Sequence, residues 1–208
     1  MVRDLVAMIP LDQRERVRCI VVVPSLVSGG VVVGAQHGNG VVSCRTPDGW
    51  SGPAFVSISG GSVGLQVGIQ SADVVMLINH ERALSRLFRS SFELGAGTSA
   101  AAGPAGGAAQ ASTDKTLTAE IVSYARTRGL FAGIELTGTA MAQNRAAGSA
   151  LYGGSPDVRA ILSGEVAPTP EMAGFLDAMR AAFPPSQSAA GEGATPALGR
   201  APAGLHLN

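Results

Sequence analysis

The sequence predicts an α+β fold: a curved, mostly antiparallel, barrel-like sheet with helices at the N- and C-terminal ends. Three observations lead there. Apolar residues alternate with polar or glycine residues in consecutive runs, the two-residue period of strands. In the clearest run Val63, Leu65, Val67 and Ile69 alternate with Gly64, Gln66, Gly68 and Gln70. Glycines on one strand face signal sharp curvature or a second backbone lying close, so this bare side is expected to be covered. Helical spacing is concentrated towards the two ends, a distribution that separates α+β from alternating α/β folds.

Taken in order, residues 1–17 read as helical, with Leu5, Met8 and Ile9 at helical spacing and Pro10 as a break or the first turn of a second short helix. Strands are expected at about 19–23, 31–35, 40–45, 54–59, 62–70 and 72–78. Asn79 is placed to cap a helix through Arg89 with an apolar stripe at Ala83, Leu84, Leu87 and Phe88. The glycine- and alanine-rich segment 95–113 reads as a loop or irregular strand. Two more strands, 118–126 and 130–137, meet at Arg128–Gly129. Helices are expected over 139–150, 156–163 and 169–183. From Pro184 the chain has too little apolar content to order itself, so 184–208 is expected to be a disordered tail.

The segment GWSGPAFVSISGGSVGLQVGIQSADVV resembles the core of the SYLF domain, a lipid-binding module of bacterial envelope proteins that in eukaryotes stands beside Src-homology-3 or FYVE domains. Further segments agree in order: Ile9–Pro10, CIVVVPSLVSGGVVVG, GNGVVSCR, FELGAGTSAAAGPAGG, SYARTRGLFAGIELTG and Ala150–Leu151–Tyr152–Gly153. The likeness covers about residues 5–180 and makes residues 1–183 one SYLF-like domain. It implies phospholipid binding, of phosphoinositides in eukaryotes, through the N-terminal helix and a basic surface. Actin-filament binding is implied for some eukaryotic members, and a cell-envelope or periplasmic location for bacterial ones.

Composition sets the material of the core. Hydrophobic residues form 46% of the chain but aromatics only 4%, so valine, isoleucine, leucine and alanine must fill it. Lys and Arg total 15 against 15 Asp and Glu, which leaves no global field to draw nucleic acid or a membrane. An anionic partner has to be met by a local patch. Lys115 is the only lysine, and arginine suits bidentate phosphate contacts; a biased base composition produces the same preference. Cys19 and Cys44 either pair, if their strands are neighbours, or remain buried thiols. No signal pattern opens the chain, because Arg3, Asp4, Arg14, Glu15, Arg16 and Arg18 interrupt it. The uncharged stretch from Cys19 to Cys44 approaches spanning length, but Pro24, Gly29, Gly30, Gly38 and Gly40 cut it into strand-sized pieces.

Motifs with catalytic resonance fail on context. Gly60–Gly61–Ser62–Val63–Gly64 fits a nucleophile elbow, yet a strand-like run follows where that motif needs a helix, and only His80 and His206 lie downstream. Gly34, Gly38 and Gly40 precede no helix that would bind phosphate, and His37 has no zinc-site spacing. No catalytic residue, metal site or cofactor is therefore expected. The candidate headgroup residues are Arg14, Arg16 and Arg18 beside the N-terminal helix, and Arg126 and Arg128 beyond Tyr124. The candidate membrane contacts are Leu5, Met8, Ile9 and Trp50, the last being alternatively an anchor for the Pro47–Asp48–Gly49 turn. The leading expectation is a non-enzymatic module on an anionic phospholipid surface. A protein-interaction or actin-binding role is the alternative, and a lipid hydrolase the least supported.

Overall fold

The computed structural model describes residues 6–7, 9–79, 91–93, 100–102, 121–127, 130–133 and 139–185. Helix α1 (Leu11–Arg16) leads into β1 (Cys19–Thr46), β2 (Gly49–Trp50), β3 (Ala54–Ile78), β4 (Ser91–Glu93), β5 (Ala100–Ala102), β6 (Ile121–Thr127), β7 (Leu130–Gly133) and β8 (Thr139–Gln143). Helices α2 (Arg145–Tyr152), α3 (Val158–Ser163) and α4 (Ala173–Ala182) follow, the last preceded by a 3-10 turn at Pro170–Met172. The eight strands form one sheet in the order β2-β1-β3-β6-β5, with β8 on β3, β4 on β8 and β7 on β6. Every pairing is antiparallel except β5 with β6. The architecture is α+β, as the alternating runs predict.

The frame is a single long ribbon in which β1 pairs with β3 from Cys19↔Ile78 to Val42↔Ala54. Six expected strands are thus two. Pro24 does not end β1, because the register shifts between Val23 and Leu26 and Ser25 takes φ 60° in this bulge; a bulge is where a strand tolerates a residue without an N–H. A second shift falls between Val31 and Val32.

Beyond the first bulge the ribbon turns back on itself. A Cβ on Gly40 would lie 2.4 Å from the carbonyl oxygen of Val22, and one on Gly38 2.8 Å from Val23 Cγ1. A close approach of one limb to the other thus occurs at Gly38 and Gly40, within one strand. A disulfide joins Cys19 and Cys44, whose Cα atoms are 4.0 Å apart. At the middle of the ribbon both faces meet solvent: Ile69 is 76% exposed, and Gln70 and Ser71 are exposed as well. Ile69 on the apolar face is therefore uncovered, as is Gln70 on the bare face expected to be covered, while the side chains of residues 62–68 lie outside the described set.

Both faces of the ribbon's ends are buried, in separate cores. Cys19, Val21, Val23, Val42, Val56, Ile58, Val74 and Met76 face inward and meet Ile161 and Leu162 of α3. Ile20, Val75, Leu77, Val122 and Tyr124 face the other way, under Ile9, Val17 and the α4 side chains Leu176 and Met179, with Phe183 just beyond. Each fully buried aliphatic or aromatic side chain contributes about 1.5–3 kcal/mol. The helix expected over 139–150 is corrected: Thr139–Gln143 pairs with β3 and β4, and the helix begins only where Asn144 Oδ1 accepts the N–H of Ala147. Alternation of buried Thr139 and Met141 with exposed Ala140 is the strand signal. The helix expected over 79–89 and the tail beyond 185 lie outside the described residues.

Candidate functional site: an arginine-lined groove

The turn Pro47–Asp48 brings β2 back onto the end of β1, pairing Arg45 with Trp50 and Thr46 with Gly49, whose φ of 125° suits glycine. Behind the turn the WSGP residues are locked by polar contacts. Ser51 Oγ accepts the Cys44 N–H at 3.0 Å, Ser43 Oγ donates to the Ser51 carbonyl at 2.8 Å, and Tyr152 donates its hydroxyl to the Pro53 carbonyl at 3.1 Å. The two segments GWSGPAF and ALYG, which carry part of the resemblance, therefore meet in space.

Arg45 organises this end of the molecule. Its Nε donates to the carbonyl of Val17 at 2.9 Å, and Nη2 reaches the carbonyls of Arg14, Phe183 and Pro184 at 3.0, 3.2 and 2.7 Å. One guanidinium thus ties the C-terminus of α1 to the segment after α4. Burial lowers its pKa, with the charge of Glu15 acting in the opposite direction. Arg45 and Trp50 line an open groove of about 780 Å3 together with Arg16, Arg18, Arg180, Glu15 and Asp48 among others. Four guanidinium groups thus share it with two carboxylates, a local cationic surface on a chain of no net charge.

The expected residues divide. Arg16 and Arg18 are exposed on the groove. Arg14 turns inward, its Nη1 donating to the Ala182 carbonyl at 3.5 Å and its Nε buried without a hydrogen-bond partner. Ile9 is 1% exposed and Trp50 5%, both in the core beneath α4. Arg126 lies on β6 opposite Asp73, away from the groove lining, and Tyr124 on the same strand donates its hydroxyl to Gln13 Oε1 at 2.7 Å, beneath α1. Leu5, Met8 and Arg128 lie outside the described residues. Sequence reasoning passed over Arg45 and Arg180. For Arg45 a signal was present, since it stands between a cysteine and a turn and faces Trp50 across it.

Comparison with known proteins decides the family. The model for Ysc84, described as Las17-binding protein actin regulator, matches residues 59–182. This chain belongs to that family. It is the SYLF family of the sequence resemblance. Among curated SYLF relatives, LAS seventeen-binding protein 3 of Saccharomyces cerevisiae is 31% identical over 166 residues, 78% of this chain and 36% of its own length. SH3 domain-containing YSC84-like protein 1 of Xenopus laevis is 35% identical over 146 residues, 68% of this chain and 43% of its own. The Homo sapiens protein of the same name is 33% identical over 153 residues, 72% and 44%. This SYLF chain spans less than half the length of these relatives. The family-model match takes in Arg180 but starts after Arg16, Arg18 and Arg45.

Among the described residues no helix is long and apolar enough to cross a membrane.

Proposed function

We propose that this chain is a non-enzymatic protein-interaction module of the actin-regulator type, presenting the arginine-lined groove to an acidic protein surface. The observation that carries this reading is the family match itself, since the matching model is described as a Las17-binding actin regulator and a yeast relative is named for binding Las17. It reverses the order in which the sequence ranked lipid and protein partners. The groove supplies a physical means, because clustered guanidinium groups pair bidentately with carboxylates. Co-sedimentation of the purified chain with actin filaments, without lipid, tests it. Pelleting that falls with added salt and with Arg16→Glu plus Arg18→Glu is expected; a chain left in the supernatant at every filament concentration removes the actin-binding form of the proposal.

A second reading, peripheral binding to anionic phospholipid, is favoured by one further observation. Leu11 on α1 is 51% exposed, close in sequence to the exposed Arg16 and Arg18. An apolar contact with basic neighbours is the two-signal combination an interfacial helix needs, at about 1 kcal/mol per basic residue near the surface. Arg126 and Arg128 belong to this reading as a second basic site, and an envelope location accompanies it. Equal recovery on neutral and anionic vesicles, unchanged by Arg126→Glu with Arg128→Glu, would remove its electrostatic part.

A further inference from the structure

Strand β1 occupies one edge of β3 from Ala54 to Ile78. On the other edge β8 pairs with Val56–Gly60 and β6 with Asp73–Ile78, and between them Gly61–Ala72 has no strand partner among the described residues. The register shift opposite Val31 and Val32 interrupts β3 between Gly64 and Val67, so the regular part of this open edge is Val67–Ala72. We propose that Val67–Ala72 pairs with the same segment of a second copy of the chain, as two antiparallel strands related by a two-fold axis.

The edge is open to a partner and lacks the usual defences against one. Ile69 is 76% exposed, and Gln70 and Ser71 beside it are exposed as well. Val27, 44% exposed, shares the face of Ile69 through the pairs Val27↔Ser71 and Gly29↔Ile69. Proteins that stay apart blunt an edge strand with charge, proline or a covering element. From Ala54 to Ala72 the sequence has no charged residue, no histidine and no proline. The outer edge of β1 differs, since Pro24 and the bulge beside it interrupt pairing there. Gly68, one of the glycines whose spacing predicts a second backbone lying close, falls within the open segment.

Charge and hydrogen bonding select the occupant. A two-fold contact sets the residues near its axis beside their own copies, so a charge there would meet its like. Ile69 and Gln70 stand at the middle of Val67–Ala72 and carry none. Each would lie close to its counterpart, Ile69 on one face of the joined sheet and Gln70 on the other. A bilayer core would leave the N–H and C=O groups of the edge without partners, whereas a strand supplies them. None of these residues lines the arginine groove, so the pairing stands apart from the function proposed above.

The full chain, with its disulfide intact, is followed by sedimentation equilibrium over a concentration series. Its mass is expected to rise from 20.9 kDa to twice that value. Ile69→Lys places two like charges beside the axis on one face and Gln70→Lys does so on the other, so each is expected to raise the half-dimerisation concentration about tenfold or more. Both positions are exposed, and an unchanged thermal midpoint of the monomer separates lost pairing from lost folding. Leu11→Lys on α1 is expected to leave the association as it was. Weakening by Ile69→Lys without weakening by Gln70→Lys would show apolar faces stacking and overturn the edge pairing, and an equal effect of Leu11→Lys would move the contact elsewhere and overturn it too. A mass of 20.9 kDa at every concentration up to about 1 mM removes the proposal outright. Hydrogen exchange across Val67–Ala72 then reads what replaces it, slow where the chain covers its own edge and fast where the edge is open to a strand of another protein.

Discussion

The guanidinium of Arg45 lies 4.8 Å from the centroid of the Trp50 ring, and the same ring meets Phe183 edge-on with centroids 5.9 Å apart. Strand, turn and C-terminal segment are thereby joined around one indole. A cation over a tryptophan face adds to the charge-assisted bonds that Arg45 makes to backbone carbonyls from both ends of the chain.

Arg45→Ala removes the ring contact and leaves those carbonyls without their donor. A loss of about 2–4 kcal/mol in urea denaturation is expected, with Arg45→Lys recovering only part, because an ammonium cannot span the same carbonyls. A loss under about 0.5 kcal/mol, the range of ordinary surface substitutions, would show that the clamp adds nothing.

Two glycines with opposite surroundings give a paired test. Gly40→Ala puts a methyl 2.4 Å from a backbone oxygen and should destabilise by about 1–3 kcal/mol, since one limb of the ribbon has to move. Gly148 lies inside α2 with nothing within 4 Å of an added Cβ, so Gly148→Ala should stabilise by about 0.5–1 kcal/mol. Thermal midpoints of the two variants moving in the same direction would contradict the packing described.

Alkaline pH should unfold the protein through its tyrosines. Burial pushes the Tyr152 hydroxyl from 10.0 up to about 12. Tyr124 is raised too, by burial first and then by the charge of Asp12, against the lowering effect of its bond to Gln13. Because the folded pKa lies above the unfolded one, the unfolded chain releases its protons first. The contribution is complete below about pH 10 and is lost as pH rises through the folded value. Stability measured from pH 9 upward should therefore fall, and Tyr152→Phe should shallow that fall while costing about 1 kcal/mol at neutral pH through the unpaired Pro53 carbonyl.

Period-two patterning made the sheet legible in the sequence, and it placed the β6–β7 hairpin correctly, since Thr127↔Leu130 leaves only Arg128 and Gly129 between the strands. What it hid was continuity. Pro24 and the glycines of β1 read as strand ends, because their local preferences are those of turns; in the fold a bulge absorbs the proline and close packing selects the buried glycines. The pairing of Cys19 with Cys44 was equally hidden, since the contact depends on a strand doubling back rather than on two neighbouring strands. At the candidate site, Arg16 and Arg18 were legible as a basic cluster. Arg14, Ile9 and Trp50 carry the same local signal yet are turned inward by the packing of α1 against the segment that follows α4.

The doubled-back ribbon also fixes where the chain can change length. Its two limbs near Cys19–Val23 and Val42–Cys44 are buried on both faces, so a one-residue insertion there would invert every following side chain and turn core valines outward. Around Val27 and Ile69, 44% and 76% exposed, two residues added to each strand keep this alternation and only alter how far the bend reaches into solvent. Length variation among folded versions of this domain should accordingly accumulate at the bend and spare the limbs.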